Sequence, residues 1–281
     1  MVSPERVLEY GSIAPEGNDK VLVIEPSAQW PQQGSIHFDN VVFSYKPGAT
    51  PVLKGLSFDI KIKEKIGIVG RTGAGKSSLT MALFRVNELE SGRIMIDGTD
   101  ISTMPLQSLR SRLSIIPQAP VLFKGPLRSY MDPFDEYTDA EIWEAFEKVE
   151  MKNQISALEG QLSHELSENG ENLSVGERQM LCMARAMLTK SRVVVMDEAT
   201  ASIDHATEKK LQHMINHDFK EATVLTIAHR LATVVASDRI MVLNDGKVVE
   251  FDTPHNLAQK EGGVFYELAM EGGYLEQFQM K

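Results

Sequence analysis

Between Ser35 and Ile62 the chain is rich in β-forming residues, and from Leu56 to Ile62 apolar positions alternate with polar ones. Ile36-His37-Phe38, Val41-Val42-Phe43-Ser44-Tyr45 and Leu56-Ser57-Phe58-Asp59-Ile60-Lys61-Ile62 read as strands with one buried face. Asp97-Gly98, set between Arg93–Ile96 and Thr99–Ile101, predicts a hairpin. This opening region is expected to form an antiparallel sheet. Further on the texture changes. Ile66-Gly67-Ile68-Val69, Arg192–Met196 and Thr223–Ala228 are short continuous apolar runs flanked by helical periodicity. Parallel strands read this way because helices cover both of their faces. Thr138-Asp139-Ala140-Glu141 has the form of a capping box, and Ile142, Ala145, Phe146 and Val149 follow at helical spacing. The stretch from about Ala119 to Asn172 is therefore expected to be a helical insertion in an α/β core. Residues 1–34 carry no such pattern; they are rich in Pro, Gly, Ser and Glu and read as a linker, with a short helix at Pro4–Tyr10.

Composition narrows the class. The chain has 281 residues, 42% of them hydrophobic, which suffices for one large domain with a sizeable core. The single cysteine, Cys182, excludes an internal disulfide framework, and its apolar helical surroundings give it a packing role. The formal charge of −10 disfavours coating nucleic acid through its phosphates. No apolar run approaches the roughly 18 to 20 residues that span a bilayer. The first residues lack the basic-then-apolar layout of a signal peptide. A soluble domain with no nucleic-acid partner is expected, whatever it is attached to.

The chemistry is concentrated in a few segments. Gly70-Arg71-Thr72-Gly73-Ala74-Gly75-Lys76-Ser77 satisfies G-x-x-x-x-G-K-[ST] in full, after an apolar strand and before a helical run from Ser78 to Phe84. Glycines let backbone N–H groups turn inward around a phosphate, and the helix N-terminus adds partial positive charge. Lys76 would reach the β- and γ-phosphates, and the Ser77 hydroxyl would ligate Mg²⁺. A matching acid is expected at the end of a buried strand, where ligands of open α/β sheets collect. Val193-Val194-Val195-Met196-Asp197-Glu198 supplies two. Asp197 would hold Mg²⁺ through water, and Glu198 would polarise the water that attacks the γ-phosphate. Without the phosphate loop, the same pair would read as a solvated strand end.

Leu173-Ser174-Val175-Gly176-Glu177-Arg178-Gln179 resembles the signature sequence of ABC (ATP-binding cassette) ATPases, and it precedes the acidic strand as it does in that family. Ser174 and Glu177 also form an S-x-x-E capping box, opening a helix with Met180, Leu181, Ala184, Met187 and Leu188 at helical spacing. The resemblance implies that Ser174 and Gly176 face the γ-phosphate held by a second copy of the domain. It further implies that Tyr45 stacks on adenine, that Gln118 touches Mg²⁺, and that His229 contacts the γ-phosphate. Ala201-Ser202-Ile203-Asp204 resembles the loop that communicates across the dimer. The implied fold is a P-loop NTPase α/β core with a mostly parallel sheet, an N-terminal antiparallel β subdomain and a helical insertion. Residues 35–281 would form the nucleotide-binding domain, and residues 119–190 its helical subdomain.

A finer likeness, to the C subfamily or multidrug-resistance-associated type, rests on Val121-Leu122-Phe123, Leu127-Arg128, Asp132-Pro133-Phe134 and Glu141-Ile142-Trp143. The opening Pro4-Glu5-Arg6-Val7-Leu8-Glu9-Tyr10 adds to it. Glu198, and Val175 at the third signature position, resemble the second cassette of such transporters; Glu177 stands where glutamine is usual. The resemblance implies an ATPase at the cytoplasmic face of a membrane. It would work with Mg²⁺, a partner cassette and transmembrane domains. Two alternatives stay open at this point: a regulatory cassette of a channel, and a soluble ABC ATPase.

Overall fold

The computed structural model describes residues 2–13, 16, 24–197, 210, 212–215, 217–228 and 230–279. Strands β1 (Ile36–Phe43), β2 (Leu53–Ile60), β4 (Ser91–Ile96) and β5 (Thr99–Asp100) build an antiparallel sheet in the order β2-β1-β4-β5. The β4–β5 hairpin turns on Asp97 and Gly98, whose φ values of 48° and 74° suit a two-residue primed turn. A second sheet has the order β12-β11-β3-β10-β9-β6. Strands β3 (Lys65–Val69), β6 (Leu113–Ile116), β9 (Val193–Asp197), β10 (Thr223–Ile227) and β11 (Arg239–Asn244) run parallel, and β12 (Lys247–Asp252) closes one edge antiparallel. The mostly parallel α/β core and the antiparallel subdomain are those expected from the residue patterns.

The continuous apolar runs are explained by which way successive side chains point. Along β9, Val194 and Met196 enter the core beneath the helices, while Val193 and Val195 enter the core shared with the antiparallel sheet. Along β11, Met241 and Leu243 join that second core, and Ile240 and Val242 join a third beneath the C-terminal helices Pro254–Gln259 and Val264–Glu271. Side chains alternate across a strand, so a strand covered on both faces needs apolar residues at every position.

Four helices of five residues or more separate β6 from β9: α4 (Leu127–Met131), α5 (Asp139–Lys148), α6 (Lys152–Ala157) and α7 (Val175–Leu188). Earlier in the chain stand α1 (Val2–Gly11), α2 (Lys76–Leu83) and α3 (Leu106–Arg110). Both capping boxes form, Thr138 with Glu141 on α5 and Ser174 with Glu177 on α7. Ile142, Ala145, Phe146 and Val149 are buried, as their spacing predicts. A two-stranded ribbon pairs β7 (Gly125–Pro126), directly before α4, with β8 (Glu165–Leu166), between α6 and α7. Among the described residues no helix is long and apolar enough to cross a membrane.

The reading of residues 1–34 as a linker needs a correction at its end. Trp30 is buried, and its Nε1 donates to the Ile96 carbonyl at 3.0 Å. Arg112 donates to the carbonyls of Ser27, Ala28 and Trp30. The Asp97 carboxylate accepts the N–H groups of Gln33, Gly34 and Ser35. Burial pushes the Asp97 carboxyl up, but those three donors outweigh it and hold the group below its ordinary range. One large side chain in a short segment leaves no periodic trace, so composition alone could not reveal the docking. Trp30→Ala should lower unfolding free energy by about 3–5 kcal/mol, read from the denaturant midpoint at unchanged slope.

Candidate functional site

The phosphate loop leaves the carboxyl end of β3 and enters α2. Gly70 adopts φ 153°, and a Cβ there would lie 2.3 Å from the Leu243 carbonyl oxygen, so the loop hugs the end of β11 in a way only glycine allows. Gly75 is the N-cap of α2 at φ 103°, and no side chain caps that helix. α5 and α7 carry capping boxes; α2 leaves its first-turn N–H groups for something else. The hairpin turn after β11 supports the loop from beneath: Gly246 donates its N–H to the Ala74 carbonyl at 3.1 Å, and the Lys54 ammonium meets Asp245 at 2.5 Å. Ala74 is buried and donates its own N–H to the Arg71 carbonyl at 3.1 Å.

Lys76 is buried, with its Nζ 2.8 Å from the Gly70 carbonyl and 3.3 Å from that of Arg71. The ammonium is thus folded back over the loop that a phosphate would fill. Tyr45, Thr72, Gly73, Gly75, Ser77 and Ser78, together with Lys76 and Val52, line an open cleft of about 310 Å³. The Tyr45 hydroxyl lies 2.8 Å from Ser78 Oγ, its ring meets Phe43 edge-on, and it remains 47% exposed. An uncapped helix terminus, a glycine cradle, a lysine and an exposed ring are the donor set and the stacking surface that a nucleoside triphosphate fits.

The acids are presented by the register of the sheet. Ile68, Ile227 and Asp197 share one row across β3, β10 and β9, so Asp197 stands two strands, about 10 Å, from the strand that carries the phosphate loop. On the far side, Ile116 of β6 pairs with Met196. Gln118, exposed two residues further on, therefore comes to the same edge as Asp197. Asp197 ends β9, Gln118 follows the neighbouring strand β6 and Ser77 opens α2 after the loop from β3; their side-chain oxygens are of the hard type that Mg²⁺ takes. Glu198, His229 and the Ala201–Asp204 loop lie outside the described residues. In sequence, Glu198 and the Ala201–Asp204 loop follow Asp197, and His229 follows Ala228, the residue after β10.

The signature segment stands apart. Neither Ser174 nor Gly176 lines the phosphate cleft. Ser174 Oγ accepts the Glu177 N–H at 3.2 Å, the Glu177 carboxylate accepts the Ser174 N–H at 2.7 Å, and Gln154 of α6 donates to its other oxygen. Burial pushes the Glu177 carboxyl up, yet the Ser174 and Gln154 donors hold it below the ordinary range. It therefore stays ionised at neutral pH. Cys182 on the same helix is buried, 3.1 Å from the Tyr130 hydroxyl, and burial pushes its thiol up. It is a packing residue, as the sequence implies.

Two contributions were not legible beforehand. The Gly246 turn is held by a contact spanning 172 positions, from Ala74 to Gly246, and no local motif marks it. Gln179, five positions beyond Ser174, sends its amide into the backbone of the Gln118 segment. In sequence it stands only as the last residue of the signature segment, with no sign of this contact.

A family model described as ABC transporter matches residues 53–201. ATP-binding cassette sub-family C member 2 of Mus musculus is 49% identical over 276 residues, covering 97% of this chain and 18% of the relative. ATP-binding cassette sub-family C member 4 of Homo sapiens is 48% identical, covering 98% of this chain and 21% of the relative. The chain thus spans about a fifth of the length of the curated relatives it matches. Among solved structures, a bacterial Atm1-family ABC exporter with ATP bound superposes with a TM-score of 0.84 at 30% identity, over 97% of this chain and 47% of the exporter chain. The chain belongs to the ABC transporter family, as a nucleotide-binding domain whose likeness to C-subfamily members runs along nearly all of it.

Proposed function

We propose that this domain binds MgATP in the Tyr45–Ser78 cleft and hydrolyses it when a partner cassette closes the site, powering transport by attached transmembrane domains. One observation carries the reading. The phosphate loop, with its uncapped helix and buried lysine, forms one half of a site, while Ser174 and Gly176 lie outside that cleft. A site so divided suits a sandwich of two cassettes, each lending its signature helix to the other's nucleotide.

Phosphoryl transfer asks of the protein mainly position and charge. In this reading Tyr45 orients the base. Lys76, with the first-turn N–H groups of α2, holds the β- and γ-phosphates. Ser77, Gln118 and Asp197 would hold Mg²⁺, which when bound neutralises charge between those phosphates. Glu198 accepts a proton from the attacking water, and His229 holds the γ-phosphate. Glu198 and Val175 fit the second cassette of a C-subfamily transporter.

The coupling surface is the groove between the sheet and the helices after β6. It has a volume of about 430 Å³ and a lining that includes Pro117, Val121, Tyr130, Pro133, Phe134 and Arg185. Leu122 is buried in the helical core; Val121, Phe123 and Phe134 are the exposed apolar side chains of this segment. Phe134→Asp should weaken docking of a transmembrane segment by about 2 kcal/mol or more. Transport by the full-length protein should fall while ATP binding holds. Intact transport would remove the groove from this role.

A further inference from the structure

Gln179 lies in the second turn of α7 and is 1% exposed. Its Nε2 donates to the carbonyls of Pro117 and Gln118, both at 2.9 Å. At Pro117 the chain has left the sheet, since the β6–β9 ladder ends at Ile116. Among the described residues, the Gln179 amide supplies the one hydrogen bond to each of Pro117 and Gln118. Proline has no N–H to add another. The far end of the same amide is unsatisfied: Gln179 Oε1 is buried with no partner among the described residues. An unpaired buried acceptor costs about 1–3 kcal/mol. A leucine or methionine would avoid that cost but forgo two donated hydrogen bonds worth about 0.5–1.5 kcal/mol each, those to the Pro117 and Gln118 carbonyls, so the two sides nearly offset. Fold stability alone gives glutamine little advantage here.

We infer that Gln179 is a positioning residue: by clamping the Pro117–Gln118 backbone it presents the Gln118 side chain to the nucleotide site and ties it to the signature helix. The inference rests on the proposed contact of Gln118 with Mg²⁺. It gives that contact a mechanical consequence. Gln179 and Ser174 belong to one helix, five positions apart, so a shift of Gln118 when MgATP binds is passed by two hydrogen bonds to the helix whose N-terminus serves the other nucleotide. The amide N–H₂ carries two hydrogens, one for each carbonyl.

The test is the Mg²⁺ dependence of ATP binding by the 281-residue chain, titrated by calorimetry at fixed ATP. Gln118→Ala is compared with Gln179→Leu and Gln179→Met, which keep side-chain bulk but cannot donate, and with each double variant. Gln118→Ala and both Gln179 variants should raise the Mg²⁺ concentration at half-effect by about tenfold, as loss of an outer-shell support does. The double variants should be no worse than Gln118→Ala alone, and thermal midpoints should stay within a few degrees. A shifted Mg²⁺ dependence in Gln118→Ala, with the wild-type dependence in both Gln179 variants, overturns the positioning role. Wild-type dependence in Gln118→Ala itself removes the Gln118 contact on which the inference stands. Additive effects in the double variants would show that Gln179 acts apart from Gln118, and would overturn it as well.

Discussion

Lys76→Ala is expected to weaken ATP binding by about 2–4 kcal/mol, or roughly 30- to 1,000-fold in Kd. The size follows from where the ammonium lies. It is buried within hydrogen-bond distance of the Gly70 and Arg71 carbonyls, so it is held at the loop before nucleotide arrives. A triphosphate gains a fixed, largely desolvated cation there, worth more than the same charge on a mobile surface chain. Removing it leaves the glycine cradle and the helix N-terminus, which still attract anions but less strongly. Arginine should not restore the affinity, because its planar fork does not fit where a compact ammonium sits. Equilibrium titration with ATP checks this. An affinity within twofold of wild type would take Lys76 out of the phosphate site.

The second large effect concerns turnover. Glu198→Gln should retain ATP while hydrolysis falls by roughly 10²- to 10⁴-fold, the usual contribution of a group that accepts a proton in the transition state. Glutamine keeps the shape and loses the basicity, so binding and chemistry separate. Single-turnover hydrolysis beside an equilibrium ATP titration distinguishes them. Unchanged turnover would show that another group activates the water.

Much of this site is legible locally. The phosphate loop, both capping boxes and the Asp97-Gly98 turn are each written within a few consecutive residues, where backbone geometry is set by nearest neighbours. The buried strands are legible too, because a strand covered on both faces must be apolar at successive positions, as β9 is from Val193 to Met196. What stays hidden depends on long-range approach. The Trp30 indole reaches Ile96 across 66 positions, and the Gln179 amide reaches Gln118 across 61. Each is a single side chain with no periodic signal. Gly70 reads in sequence as a motif glycine; that the Leu243 carbonyl forbids a side chain there emerges only when β11 lies beside β3. Leu122 is hidden for the opposite reason. An apolar residue in a proline-broken segment looks exposed, yet it packs into the core beneath α7.

The central claim is that this chain holds one half of an ATP site and lends the other half to a partner. ATP hydrolysis by the purified chain, measured against protein concentration with sedimentation in parallel, tests it most directly. The specific rate should climb as the chains associate in the presence of MgATP, because each phosphate cleft gains the Ser174–Gly176 terminus of its neighbour. A finite specific rate that stays flat with concentration, from a chain that sediments as a monomer, would mean that the cleft is complete by itself and would contradict the account.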